Sequence, residues 1–526
     1  MPISRRNFLQ LSAAAAAAPV WTRLLSAPSD PATAALCRKL ASDPLRPQYH
    51  LLPAKNWMND PNGPIFFRGR YHMFHQYNPQ GPTWGNMNWA HATSPDLIHW
   101  QHEPIALSPT PGGPDRDGVF SGSAVLDHGT PTVIYTGVAP PATDTQATLR
   151  DGVHTWRETQ CLAVAQDDDL RVWKKLPQPV IAAPPAGLEV TGFRDPCLWR
   201  EGGKWMLILG SGIRGKGGAI LLYSSSNLRD WTYLHPLVQG SPSNKDSTNP
   251  VDTGDMWECP DFFPMGNKHV LLISTMGKVR WKVGTYARQR FTPEKEGVVD
   301  WGAYYAAKTM LDAKGNRILW GWITETRPDA DLIAAGWAGA MSLPRTLSLN
   351  QQNELVTRIT AAQILRTSHE GASMALSVDR GAERPQESAR RRALFDAVRI
   401  PDLSAELDLI IRPKGDEFSL RLQSEDGEDF ATISCVTKSG SRQIRVNSVT
   451  APLGPGKIPM VGLHLFLDGS ILELFANLET ALTARICRVP SSPLRLKLDD
   501  SAEIISFNAW RMQTISKDRL TGSLCS

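Results

Sequence analysis

From about residue 50 to 350 the chain runs in short apolar or alternating stretches, each closed by a turn. "GPIFFRGRYHMFHQY", "GSAVLDHGTPTVIYTG", "PCLWREGGKWMLILGSG", "AILLYSSSNLRDWTYL" and "HVLLISTMGKVRWKVGTY" show the pattern, with Gly, Asp-His-Gly or Glu-Gly-Gly at the breaks. No long helical period competes with these strands before residue 350. A degenerate repeat overlies them. "SPDLIHW" ends at Trp100, "DDDLRVW" at Trp173 and "SSNLRDW" at Trp231, and each leads into a proline-bearing connection. Spacings of 73 and 58 residues suit a four-stranded blade with variable loops, and the region has room for five blades. Stacked sandwich sheets also fit that period, so periodicity alone leaves both architectures open.

Past residue 350 the pattern changes. "ELVTRITAAQILRTSHEG" leaves the repeat, and "LDLIIRP", "FSLRLQS", "VGLHLFLDGSILELFAN" and "LTARICRV" alternate as half-buried strands do. The reading is all-β: a propeller-like unit over 45–350, a β-sandwich over 351–515 and a tail over 516–526. "ARRRALFDAV" reads as a charged surface interruption, and "SKDRLTGSLCS" has no evident packing role.

The first 34 residues stand apart. Ser4-Arg5-Arg6-Asn7-Phe8-Leu9 before a short apolar run has the form of a twin-arginine export signal, which places the protein in the periplasm or outside the cell. The run from Leu9 to Ala18 is too short to span a bilayer, so no obligatory membrane association is expected. Small residues at Ala16-Ala17-Ala18 and Ala32-Thr33-Ala34 offer alternative cleavage sites.

Composition narrows the class. A chain of 526 residues exceeds one ordinary core, and 41% hydrophobic with 21% charged residues describes a folded protein. The net charge is only +4 and no basic block interleaves with aromatics, which argues against nucleic acid as a partner. Seven cysteines without a C-x-x-C pair indicate neither a metal site nor a required disulfide. Seventeen tryptophans are many, and several fall in polar, glycine-bearing segments where an indole can serve as core or as a sugar platform.

Two motifs invite a chemical reading. "GSGIRGKGG" at 210–218 nearly matches a phosphate loop, but Gly217 stands where a magnesium-binding hydroxyl belongs and a strand follows in place of a helix, so a hairpin turn is expected. The stronger signal is a set of three acids in aromatic, proline-bearing contexts: Asp60 in "WMNDPNG", Asp195 in "GFRDPCLW" and Glu258 in "MWECPDFFP". They are 135 and 63 residues apart, which puts them on different blades facing one central channel if the unit is a propeller. Turn chemistry for Asp60 and a surface pair of Arg194 with Asp195 would explain each acid singly. Together, three carboxylates without a histidine or basic cluster fit glycosidic hydrolysis, which needs two carboxyl groups of opposite protonation state. Trp257 and Cys259 beside Glu258 suggest the drier setting for an acid, while Asn59 and Asn62 can solvate Asp60 as nucleophile.

The ordered set "WMNDPNG", "FHQYNP", "WG" at 84–85, "NWAHATSPDLIHW", "GVFSGSA", "FRDPCLW", "WECPDFFP", "YYAAKTMLD", "ILWGWITE" and "GWAGAMSLPRTLSL" resembles glycoside hydrolase family 32, and "HLFLDGSILELFAN" resembles that family's sandwich module. The likeness covers about residues 45–515. It implies a five-bladed β-propeller followed by a β-sandwich, and a retaining enzyme acting on sucrose or fructans without a cofactor or metal. It further implies Asp60 as nucleophile, Glu258 as acid/base and Asp195 as transition-state stabiliser. Asn59, Gln76, Trp84, Phe120, Ser121 and Arg194 would line the fructose subsite, with Trp57 and Trp322 as an aromatic wall. Exo-acting β-fructosidase is the favoured activity, with fructosyltransferase, endo-fructanase and non-catalytic sugar binding as alternatives. Sucrose-cleaving plant members carry an aspartate where "VGTYARQRF" has Ala287, a departure that favours fructan exohydrolysis. Trp89-Ala90-His91-Ala92 departs from the family's Trp-Gly-His-Ala and reads as a local packing change.

Overall fold

A computed structural model describes residues 31–140, 148–151, 154–245, 248–373, 385–455 and 459–522. The export segment therefore lies almost wholly outside the described residues.

Five antiparallel sheets follow one another along the chain. Their first strands are Asn56–Phe67, Gly118–Asp127, Val190–Glu201, Glu258–Met265 and Tyr305–Leu311. Each first strand packs beside the first strand of the next sheet, and the fifth returns to the first. The result is a closed five-bladed propeller, so the period of about 60 residues belongs to blades and not to stacked sandwich sheets. Closure is fastened by Trp337–Ala338, which pairs in parallel with Asn56 and Trp57 on the edge of the first blade.

The tryptophan repeat has a backbone cause. Leu97, Leu170 and Leu228 are the leucines of the three repeats, and they have φ of 73°, 56° and 63°. Each is buried, so one residue both reverses the chain into the outer strand and fills the core. The indole N–H of Trp173 donates to the carbonyl of Leu170 at 2.9 Å, and Trp231 repeats the bond to Leu228 at 3.0 Å.

"GSGIRGKGG" is indeed a hairpin, with Ile213 opposite Gly217 in the ladder. Its glycines make room for the next blade. A Cβ on Gly212 would strike the carbonyl oxygen of Asp255, and one on Gly218 would strike the indole of Trp257.

The second unit is a sandwich of two six-stranded antiparallel sheets, packed through Leu407, Leu409, Leu420, Ile433, Leu463 and Leu474. The fifth blade's ladder extends to Leu355–Ile359, past residue 350. Two surface expectations are corrected. The "ARRRALFDAV" stretch lies in a helix, Pro385–Ala397, whose Arg391 and Phe395 are buried. Arg391 Nε donates to the carbonyl of Ile504 at 2.7 Å, and Phe395 meets Phe507 edge-on at 5.5 Å. The tail also packs: Leu520 is buried in one cluster with Leu40, which lies on the helix Pro31–Ser42. Cys37 on that helix is disulfide-bonded, although the sequence required no bridge.

A buried polar network joins the two units. Arg345 of the propeller bonds Asp300 at 2.9 Å and Glu473 of the sandwich at 3.1 Å. His50 bridges Asp468 at 2.7 Å and Glu473 at 3.0 Å, and all these side chains are fully buried. Such a network is tolerated in an interior because every charge has an opposite partner.

Candidate active site

All five inner strands break their ladder at one level. The register shifts fall between Met58 and Pro61, Val119 and Gly122, Arg194 and Cys197, Glu258 and Asp261, and Tyr305 and Lys308. A bulge bends the strand and re-aims its side chains. On blades three to five it holds a non-glycine residue at positive φ: Asp195 at 64°, Cys259 at 47° and Ala306 at 54°. Such backbone is uncommon and persists where surrounding structure enforces it. One device repeated five times therefore delivers Asp60, Ser121, Asp195, Glu258 and Tyr305 to the same level of the funnel.

Asp60 lies at the centre of a donor set. Ser121 Oγ donates to its Oδ2 at 2.6 Å and Asn59 Nδ2 to its Oδ1 at 3.0 Å. The Trp57 indole N–H holds Asn59 Oδ1 at 2.7 Å. The Cys259 thiol reaches Asp60 Oδ2 at 3.4 Å and Asp195 Oδ2 at 3.5 Å. Burial pushes the Asp60 carboxyl above its ordinary pKa, with Glu258 adding to the rise and the bonds from Ser121 and Asn59 opposing it. Burial likewise raises Asp195, against the pull of Arg194, while the backbone N–H of Cys259 donates to it at 2.9 Å. Burial and the two aspartates push the Cys259 thiol well up, so it serves here as a neutral donor.

Glu258 is held from two sides. Arg194 Nη2 meets its Oε1 at 2.7 Å, and the Tyr305 hydroxyl donates to its Oε2 at 2.7 Å. Its side chain remains 20% exposed, against 4% for Arg194. Arg194 is fixed in turn by Glu158 at 2.9 Å and is itself buried, so it belongs to the interior of the site and not to a surface pair. Two sequence-based expectations about these neighbours are corrected. Trp257 turns away from Glu258 onto Gly218 and Gly240, because adjacent strand residues face opposite ways. Cys259 sits against Asp60 and Asp195, not Glu258. Asn62 is buried, and with its amide turned so that Nδ2 faces Ser121 and Oδ1 faces Gln76 and Trp89 it meets these groups at 3.1–3.2 Å, so it supports the wall and not the Asp60 carboxylate.

The remaining expected residues gather around this centre. Gln76 is buried and bonds the Val119 carbonyl at 2.9 Å, beside Phe120 and Ser121. The rings of Trp57 and Trp322 meet at 5.7 Å, and those of Trp84 and Phe120 at 6.0 Å. Trp84 is 45% exposed, which puts it at the surface end of this wall. Ala287, by contrast, lies at the far end of the fourth blade. It is in the hairpin opposite Arg290, on the side of the 265–268 hairpin and away from Glu258. Its identity cannot act on substrate by contact from there. Sequence reasoning missed Glu158, Cys259 as a partner of the aspartates, and Tyr305. Tyr305 lay inside the quoted "YYAAKTMLD" but carried no signal of its own, since its target is on another blade. Separately, a cavity of about 1110 Å³ lies between the first blade and the tail, lined by His75, Tyr77, Trp100 and His102, but none of the three acids faces it.

Comparison with known proteins agrees with this arrangement. Residues 50–358 match the model for the glycosyl hydrolases family 32 N-terminal domain, and residues 350–511 match the family 32 C-terminal model. Residues 2–20 match the twin-arginine translocation signal, so the chain carries an export signal. A sucrose-6-phosphate hydrolase of Zymomonas mobilis is 34% identical over 468 residues, covering 84% of this chain and 85% of that protein. The fructan 1-exohydrolase IIa of Cichorium intybus superposes with a TM-score of 0.73 at 26% identity, over 90% of this chain and 98% of that one. A Bombyx mori β-fructofuranosidase superposes with a TM-score of 0.70 at 27% identity, over 92% and 98%. With both domain models matched in order along the chain and the three acids on the first, third and fourth blades, the chain belongs to glycosyl hydrolase family 32.

Proposed function

We propose that the protein is an exo-acting β-fructosidase that releases fructose from sucrose, fructans or both, with retention of configuration. The observation that carries this reading is the asymmetry between two carboxylates at one level. Asp60 is held by the neutral donors Ser121 and Asn59, whereas Glu258 lies between the Arg194 guanidinium and the Tyr305 hydroxyl. Asp60 is the nucleophile, aimed by Ser121 and Asn59 and attacking C2 of a terminal fructofuranosyl ring. Glu258 gives its proton to the departing oxygen and then takes one from the incoming water. Asp195, buried and held by Cys259, stabilises the cationic character of the ring in the transition state. The relatives' names include sucrose-6-phosphate hydrolase, fructan exohydrolase and β-fructofuranosidase, which supports fructoside substrates as the class. The export signal supports action outside the cytoplasm.

Product analysis on sucrose, sucrose 6-phosphate, inulin and levan in parallel tests the reading. Fructose is expected as the sole early small product from inulin or levan, or together with equimolar glucose or glucose 6-phosphate from sucrose or sucrose 6-phosphate. An early ladder of oligosaccharides would replace exo by endo action, and products longer than the substrate would indicate transfer.

A further inference from the structure

The strand His154–Ala165 of the second blade carries Glu158, which bonds Arg194 at 2.9 Å and the Phe193 N–H at 2.6 Å. Its inward face is therefore a face of the pocket. Pairing along this strand is regular, without a bulge, so residues two apart share a face. Trp156 accordingly lies on the same wall as Glu158, one step toward the start of the strand. Its ring meets Phe120 edge-on at 5.3 Å and Trp84 at 5.9 Å. Phe120 immediately precedes Ser121, the donor to Asp60, and Trp84 is 45% exposed. Three rings thus form one surface that starts beside the nucleophile and reaches the solvent.

We infer that Trp156 carries the ring wall of Phe120 and Trp84, expected beside the fructose unit, outward into the subsite for the sugar unit that departs. The inference rests on the fructosidase reading above. The ring attacked by Asp60 must lie on the acids, so the leaving sugar projects outward, past Glu258, toward the exposed rings. The apolar C–H face of a pyranose or furanose packs on flat indole rings. Trp156 stands in "DGVHTWRETQ", outside the motifs that carry the family resemblance.

Trp156→Ala, Trp156→Leu and Trp156→Phe test it, each with a thermal melt. KM and kcat are measured on sucrose and on a fructosyl trisaccharide, together with inhibition by free fructose. Ala and Leu are expected to raise KM for the trisaccharide about tenfold, with kcat within about twofold and fructose inhibition unchanged. Phe, which keeps a flat ring, restores most of the loss. Leu keeps bulk without the ring face, so a rise in that variant separates binding from packing. A KM within about twofold of wild type in both Ala and Leu overturns the inference. So does fructose inhibition weakening in step with KM, because that marks collapse of the Phe120–Ser121 support for Asp60. A wild-type protein that releases no fructose from either substrate removes the fructosidase reading itself, and this subsite with it.

Discussion

Asp60 is surrounded by Ser121, Asn59 and Cys259 and contributes little to packing, so its removal should cost chemistry and not fold. Asp60→Ala is expected to lower fructose release by about a thousandfold or more, with the melting temperature held. Initial rates on sucrose and inulin beside a thermal melt check this, and retention of a tenth of wild-type turnover would make the nucleophile assignment wrong. Glu258 separates the roles further. Glu258→Gln keeps the bonds to Arg194 and Tyr305 in reach but cannot pass a proton. Hydrolysis of natural fructosides should collapse, while a fructoside with a good leaving group still forms the covalent intermediate. Azide, needing no base, should then restore turnover and yield a fructosyl azide of the starting β configuration. An inverted azide product would point to direct displacement and remove Asp60 as nucleophile.

The hairpin around 210–218 shows how an element outside the site sets its geometry. Gly212 faces the Asp255 carbonyl and Gly218 lies under the Trp257 indole, so the third blade provides the floor on which the fourth blade's first strand begins. The residue after Trp257 is Glu258. Gly218→Ala is expected to cost about 1–3 kcal/mol of stability through overpacking. It should also lower kcat/KM by more than the loss of folded protein explains, because displacing Trp257 moves the acid. Parallel denaturant melts and active-site-normalised kinetics check this. An alanine variant with unchanged stability and rate would show that the indole has room to move.

Across the whole molecule, the His50 network ties sandwich to propeller. Burial alone would lower the His50 pKa, but its hydrogen bonds to Asp468 and Glu473 reverse this and raise it to about 9. A histidine with an ordinary unfolded pKa near 6.5 and a raised folded one stabilises fully below about pH 6.5. That contribution, about 3 kcal/mol at most, is lost as pH rises through 9. Glu473 has the opposite sign. Burial raises it, Arg345 and His50 outweigh that, and the folded value falls to about 2, so its contribution is present above about pH 4.5 and lost on acidification through 2. The measurable outcome is a fall in unfolding free energy between pH 7 and 10 that His50→Gln largely abolishes, at a cost in neutral stability of about 3–5 kcal/mol. An alkaline slope that survives in the variant would assign it to other groups.

Alternation of period two, turn residues at the breaks and a repeated tryptophan were enough to read an all-β chain with room for five blades and a second sandwich unit, while propeller over stacked sheets followed from the family resemblance and is decided by the ring closure. Those signals are local: a pleated strand alternates whatever it packs against, and Leu97, Leu170 and Leu228 mark their own chain reversals. The three acids were legible for the same reason, each lying in a proline-restricted aromatic stretch of its own strand. Which groups touch them was not. Trp257 and Cys259 flank Glu258 in sequence, yet pleat and bulge send one to a glycine floor and the other to Asp60 and Asp195. Tyr305, Glu158 and Trp156 come from other blades, and Ala287, close to the acid motif in sequence, ends at the far end of its sheet. Ring closure settles these contacts, because a group's electrostatic neighbours are set by distance in space, and residues on different strands acquire that distance only when the last blade meets the first.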